Sequence, residues 1–112
     1  MQITYASNKF AKAANAKAVG VRTWGDKRAA KIRQRLAELA AADTLEDVNR
    51  LPPPRCHQLK QNLDELFAVD ISANERLVFK IDHDPLPRRD DGGIDLKKVT
   101  AINVLRIEDY HG

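Results

Sequence analysis

The run Leu51-Pro52-Pro53-Pro54 divides this chain into two kinds of sequence. Consecutive prolines lack amide donors and push the preceding residue out of the helical region, so no regular element passes through them. Before the run, apolar residues recur with helical spacing; after it they alternate with period two. From Asp26, the residues Ala29, Ile32, Leu36, Leu39 and Ala40 form an amphipathic seam. An earlier alanine-rich helix is expected from near Lys9 to near Gly20, capped by Ser7 or Asn8. Thr44-Leu45-Glu46-Asp47 opens a short helical turn. Gln2–Tyr5, Leu66–Ile71, Arg76–Ile81 and Val99–Ile107 read as strands, and Asp82–Gly93, with two prolines and two glycines, as a loop. The order β-α-α-β-β-β predicts an α+β fold: two N-terminal helices packed on a small, twisted, mostly antiparallel sheet.

A chain of 112 residues has room for one core, and residues 1–112 are read as a single domain. No apolar run approaches the roughly 20 residues that span a bilayer, and the N-terminus lacks the pattern of a signal peptide. The single cysteine, Cys56, excludes an internal disulfide framework and fits a reducing cytoplasm; it is expected to be a small, semi-buried residue. Charge is uneven. Residues 1–60 hold 12 Lys/Arg against 5 Asp/Glu, and residues 61–112 hold 7 against 11. On the second helix Lys27, Arg28, Lys31 and Arg35 are expected opposite the apolar seam, as a basic stripe facing solvent. A basic half suits a polyanionic partner such as RNA, and equally an ordinary solvated helix face.

Four features suit acid–base work on a phosphodiester: His57, Lys60, Arg76 and the terminal Asp109-Tyr110-His111. Cleavage of RNA by its own 2′-hydroxyl needs a base, an acid for the leaving 5′-oxygen, and cations for the charge that develops on phosphate. Histidine exchanges protons near neutrality, and the planar donors of arginine grip two oxygens at once. Neither a metal nor a cofactor is expected, because the histidines and acids lack metal-ligand spacing. There is no phosphate-binding glycine loop and no nucleophile elbow.

Read together, His57-Gln58-Leu59-Lys60, Leu66-Phe67-Ala68-Val69, Asn74-Glu75-Arg76-Leu77-Val78-Phe79 and Ile107-Glu108-Asp109-Tyr110-His111 resemble the RelE/HigB superfamily of type II toxin–antitoxin toxins, most closely its HigB-like branch. The resemblance implies a ribosome-dependent mRNA endoribonuclease that inhibits translation in the cytoplasm. Its implied partners are the ribosome with mRNA and a cognate helix-turn-helix antitoxin of HigA-like type; operator DNA is met only through the antitoxin complex. Carried over by position, His57, Arg76, Asp109, Tyr110 and His111 are catalytic, with Lys60 in support. His111 or Tyr110 would exchange protons, Arg76 and Lys60 would stabilise the transition state, and Asp109 would orient His57. The stripe Lys27, Arg28, Lys31 and Arg35 would meet ribosomal RNA. The chain departs from the family at Lys60-Gln61-Asn62, where relatives have a Lys-Gly step, at Phe67 in place of Trp, and in a longer loop from Asp82 to Lys98.

The main alternative is a catalytically inactive member of the same fold, acting as a binding module in an antitoxin–operator complex. A direct DNA-binding repressor is disfavoured, since the two expected helices join through Trp24-Gly25 and run into strands, with no recognition helix.

Overall fold

The computed structural model describes residues 1–50, 56–59 and 65–109, with Asn49 and Arg50 described by backbone alone. The Leu51–Pro54 run, Lys60, Tyr110 and His111 lie outside the described residues. The described elements are β1 (Gln2–Tyr5), α1 (Asn8–Asn15), α2 (Lys17–Trp24), α3 (Asp26–Ala41), α4 (Leu45–Arg50), β2 (His57–Gln58), β3 (Phe67–Asp70), β4 (Glu75–Ile81), a 3-10 turn at Leu96–Lys98, and β5 (Ala101–Asp109). They build the expected α+β architecture, with helices on one face of a sheet ordered β1-β5-β4-β3-β2. Only β1 runs parallel to its neighbour β5; the other pairings are antiparallel.

Helices α1 to α4 depart from the expected pair. The alanine-rich segment breaks at Ala16, which is extended, and resumes as α2 to Trp24. Gly20 therefore does not end a helix. It sits where α2 packs on α1, and a Cβ there would fall 2.7 Å from the Ala13 carbonyl oxygen. The true stop is Gly25, whose φ of +81° few other residues adopt without strain. Ser7 caps α1 as expected, its Oγ accepting the Phe10 amide at 3.1 Å. Thr44 and Asp47 cap α4 through Thr44 N–H donating to Asp47 Oδ2 at 3.2 Å.

Under the helices, Ile32, Leu39, Leu45, Leu77, Phe79 and Ile102 are fully enclosed, and the Phe67 and Phe79 rings stack 6.1 Å apart. Burying a side chain of this size contributes roughly 1.5–3 kcal/mol. The opposite face of the sheet carries a smaller apolar cluster of Leu66, Ala68 and Val78, flanked by Leu59 and Leu105. Strand β4 is thus covered on both faces, which explains three successive buried residues, Leu77, Val78 and Phe79. Cys56 is buried where a semi-buried residue was expected, and burial pushes its thiol up to about 12, so it is protonated at neutral pH.

The Asp82–Lys98 segment is built rather than loose. Arg88 bridges to Ile94, Arg89 N–H donates to the Gly93 carbonyl at 2.7 Å, and Asp95 N–H to the Pro87 carbonyl at 2.9 Å. Leu86, Ile94 and Leu96 pack against the main core. The Gly93 amide holds the exposed Asp91 carboxyl below its ordinary range, with Arg89 adding to the effect.

Candidate functional site

The strand register decides which candidate residues share a face. In an antiparallel ladder, residues directly opposite point the same way, and residues two apart along a strand do too. His57 pairs with Ala68, Ala68 with Val78, and Val78 with Arg106. The next row is Asp70, Arg76 and Glu108. His57, Arg76, Arg106 and Glu108 therefore lie on the face turned away from the helices. Strand spacing and rise put His57 and Arg76 about 12 Å apart between Cα atoms. Two side chains of their length span such a gap with a phosphodiester between them.

A bulge creates half of this arrangement. Register shifts between Val78 and Phe79, so that Arg106 faces Val78 while Val104 faces Phe79, leaving Leu105 as the extra residue. One additional residue reverses the facing of all that follows it. Without it Arg106 and Glu108 would point into the core beneath the helices.

Within the face, Glu108 lies between two guanidinium groups. Arg76 Nη2 donates to Glu108 Oε1 at 2.6 Å, and Arg106 Nε donates to Oε2 at 3.1 Å. The hydrogen bond from Arg76, and after it that from Arg106, holds the Glu108 carboxyl below the ordinary carboxylate range; partial burial works against them. Glu108 and Asp70 balance the two arginines, and Lys80, on the same face of β4, leaves one net positive charge, with the arginines already oriented. Phosphate would approach Arg76 and Arg106 by sharing them with Glu108.

Asp109 falls elsewhere. It pairs with Glu75, one residue beyond the Arg76–Glu108 row, and so turns toward the helix side. It is also about 18 Å from His57, three strands across and three residues along. The expected role for Asp109, orienting His57, is therefore corrected: register and facing separate the two. Lys60, Tyr110 and His111, the other expected members, lie outside the described residues.

The expected basic stripe is corrected as well. Arg35 is 7% exposed, not solvent-facing; its Nε donates to the Asp70 carbonyl at 2.7 Å, and its Nη1 meets Glu38 at 3.0 Å. The reason is helical phase: Arg35 lies only about 40° around the helix from Leu39, on the flank of the seam. Arg28 by contrast is exposed, with 46% of its side chain open, and makes a two-pronged ion pair with Glu75, at 2.9 and 2.7 Å. Lys27 is exposed and Lys31 half-exposed, so Lys27, Arg28 and Lys31 remain as the solvent-facing part of the stripe.

Arg106 and Glu108 are the residues that sequence reasoning passed over. Val99–Ile107 reads as apolar on both faces, which hides Arg106, and no sequence signal announces the bulge that turns it outward. Beside His57, Gln58 takes the other face and lines a cavity of about 300 Å³ with Phe67, Arg89, Gly93, Ile94 and Leu96. Arg88 in the same segment pairs with Glu65 at 2.7 Å. Among the described residues no group of three or more His, Cys, Asp or Glu is placed to hold a metal ion.

No family model matches the chain, and no curated protein matches it in sequence. Solved structures do match it in fold. The YoeB–YefM complex from Staphylococcus aureus superposes with a TM-score of 0.56 at 18% identity, covering 100% of this chain and 98% of that one. A YoeB/ParE toxin from Agrobacterium tumefaciens gives 0.55 at 9% identity, over 98% and 99%. A metal-bound toxin from Helicobacter pylori gives 0.55 at 18% identity, over 99% and 96%. The chain therefore has the fold of these bacterial toxins across nearly its whole length, the RelE-like fold that the sequence implied. Identities this low carry the architecture and not the activity.

Proposed function

We propose that the chain is the toxin of a type II toxin–antitoxin pair, of HigB-like type, and acts in the cytoplasm as a ribosome-dependent mRNA endoribonuclease. The observation that carries this reading is the shared facing of His57, Arg76 and Arg106 on the side of the sheet turned away from the helices. That layout provides a proton-exchanging group and two guanidiniums on one surface, as cleavage by the ribose 2′-hydroxyl requires. The likeness in fold to a toxin solved with YefM supports a cognate antitoxin as partner. Helix-turn-helix antitoxin, ribosome, mRNA and operator DNA through the antitoxin complex complete the proposal, with no membrane partner. No helix among the described residues is long and apolar enough to cross one.

In the mechanism, Arg76 and Arg106 would bind the scissile phosphate and stabilise the charge developing on its non-bridging oxygens. His57, on the neighbouring strands of the same face, would exchange a proton with the attacking 2′-oxygen or the leaving 5′-oxygen. Glu108 would keep both guanidiniums oriented before RNA arrives. Tyr110, His111 and Lys60 stay in the proposal as further proton-exchanging and cationic groups, and Asp109 as a residue of the same terminus. None of these steps calls for a metal.

A second reading has an observation of its own. Because Glu108 already occupies Arg76 and Arg106, the face also suits an inert binding module held rigid by its ion pairs. Induced expression in a bacterial host separates the two. The intact chain is expected to arrest growth, and Arg76→Ala or removal of residues 109–111 to relieve the arrest. Equal arrest by all three overturns the site, and no arrest by the intact chain favours the inert module.

A further inference from the structure

The two residues of β2 point to opposite faces, so Gln58 leaves the sheet on the side away from His57. With its ladder partner Phe67 it lines the cavity of about 300 Å³ whose other wall is Arg89, Gly93, Ile94 and Leu96 of the Asp82–Lys98 segment. Phe67, Ile94 and Leu96 belong to the main core or pack on it, and they form an apolar floor. Gln58 and Arg89 form a polar rim, and both are exposed. An apolar floor with a few convergent polar groups is the usual make-up of a small-ligand pocket, and this cavity lies at the lower end of their size range.

The rim presents hydrogen-bonding groups that the fold does not use. Asp91 Oδ1 accepts the Gly93 amide at 2.8 Å and Arg89 Nε at 3.3 Å. The guanidinium is thereby held by its inner nitrogen, and its two Nη groups make no hydrogen bond to a described residue. Arg89 keeps 60% of its side chain exposed, so a ligand can reach these donors. Gly93 permits the arrangement, because a Cβ there would collide with Arg89 Nη2. The Gln58 side-chain amide likewise makes no hydrogen bond to a described residue.

We propose that this cavity is a base-recognition pocket, and that it takes the guanine of a single-stranded RNA nucleotide whose phosphate lies at His57. Its place beside a scissile phosphate rests on the function proposed above; the choice of base rests on the rim alone. Guanine O6 and N7 accept together from one guanidinium, and the N1–H and N2–H edge meets the Gln58 carbonyl oxygen. Adenine puts an amino donor where guanine has O6, against the donors of Arg89, and pyrimidines lack N7. A phosphate or a peptide carboxylate fits less well, because each would meet the charge of Asp91 beside Arg89, whereas a base is neutral. The path from the candidate site is short. β2 is the last described strand of the sheet, and one strand's width, about 5 Å, separates the two faces at that edge. A ribose spans such a step between phosphate and base.

Guanosine, adenosine, cytidine and uridine 5′-monophosphates share one phosphate, so differences among them report the base. Each is titrated into the isotope-labelled full chain. The side-chain signals of Gln58 and Arg89 and the amide signals of Gly93, Ile94 and Leu96 are followed by NMR. The guanosine nucleotide is expected to move these signals saturably, and the other three to bind at least about tenfold more weakly. Arg89→Met removes the donors and is expected to abolish the preference. Gly93→Ala keeps every rim group but pushes the guanidinium aside, and is expected to abolish it too. Equal binding of all four nucleotides, no movement of these signals, or a preference that survives either variant overturns the proposal. So does a blocked acetyl-Leu-Glu-Leu-amide peptide that moves the same signals and binds more tightly than the guanosine nucleotide, which assigns the cavity to a protein partner. The proposed function fails separately. An absence of growth arrest alongside Arg89-dependent guanine binding discards the toxin reading and leaves the pocket standing. Growth arrest with mRNA cuts that show no enrichment for an adjoining guanine discards the pocket and leaves the toxin reading.

Discussion

At the scale of single residues, an arginine's role is set by what its guanidinium already holds. Arg35 and Arg28 are drawn into ion pairs on the flank of α3, at Glu38 and Glu75, while Arg76 and Arg106 share Glu108 on the face turned away from the helices. A Glu108 pKa below its unfolded value of about 4.3 means the native state favours the carboxylate. Its stabilising contribution is complete above the unfolded value and is lost as pH falls through the lower folded one. Glu108→Gln is therefore expected to flatten the acid limb of a stability–pH profile measured by urea unfolding, with little change near neutrality in the shape of the curve. An acid limb identical to that of the intact chain would show that the pair does not couple to folding. Part of this is legible from residue type: His57 and Arg76 stand out chemically, and both lie on the face turned away from the helices. What it did not tell is the pairing of charges, because ion-pair partners such as Arg28 and Glu75 lie far apart in sequence.

At the scale of elements, the change of period across the proline run is what made the fold legible. Helical spacing in α3 follows from burying one of its sides, the apolar runs of β3 and β4 from cover on both faces, and all three elements emerge within a residue or two of their expected bounds. Three features escaped for physical reasons. Strand β2 is two residues long and exists through its pairing with β3, so it has no pattern of its own. The break at Ala16 carries no glycine or proline; it follows from the contact that Gly20 permits between α1 and α2. The bulge at Leu105 is set by strand pairing, and it alone turns Arg106 and Glu108 outward. Gly20→Ala tests the second of these directly. The added methyl meets backbone and not a flexible side chain, so a loss of about 1–3 kcal/mol is expected by chemical denaturation. A neutral or stabilising result, as for an ordinary helical Gly→Ala change, would show that α1 and α2 do not approach as described.

At the scale of the whole molecule, the sheet separates two surfaces. Helices α1 to α4 cover one face; the other face carries His57, Arg76, Arg106 and Glu108 around a small apolar patch. The claim at the centre of this account is that the cationic face cleaves mRNA on the ribosome. The most direct measurement incubates the purified chain with a defined mRNA, either naked or engaged by translating ribosomes, and maps the ends by primer extension. The account predicts cuts within the reading frame only when ribosomes are present, reduced about 10²–10³-fold by Arg76→Ala, the scale of losing one electrostatic stabiliser of a transition state. Cuts that persist at full rate in Arg76→Ala, or that appear equally on naked mRNA, would contradict it.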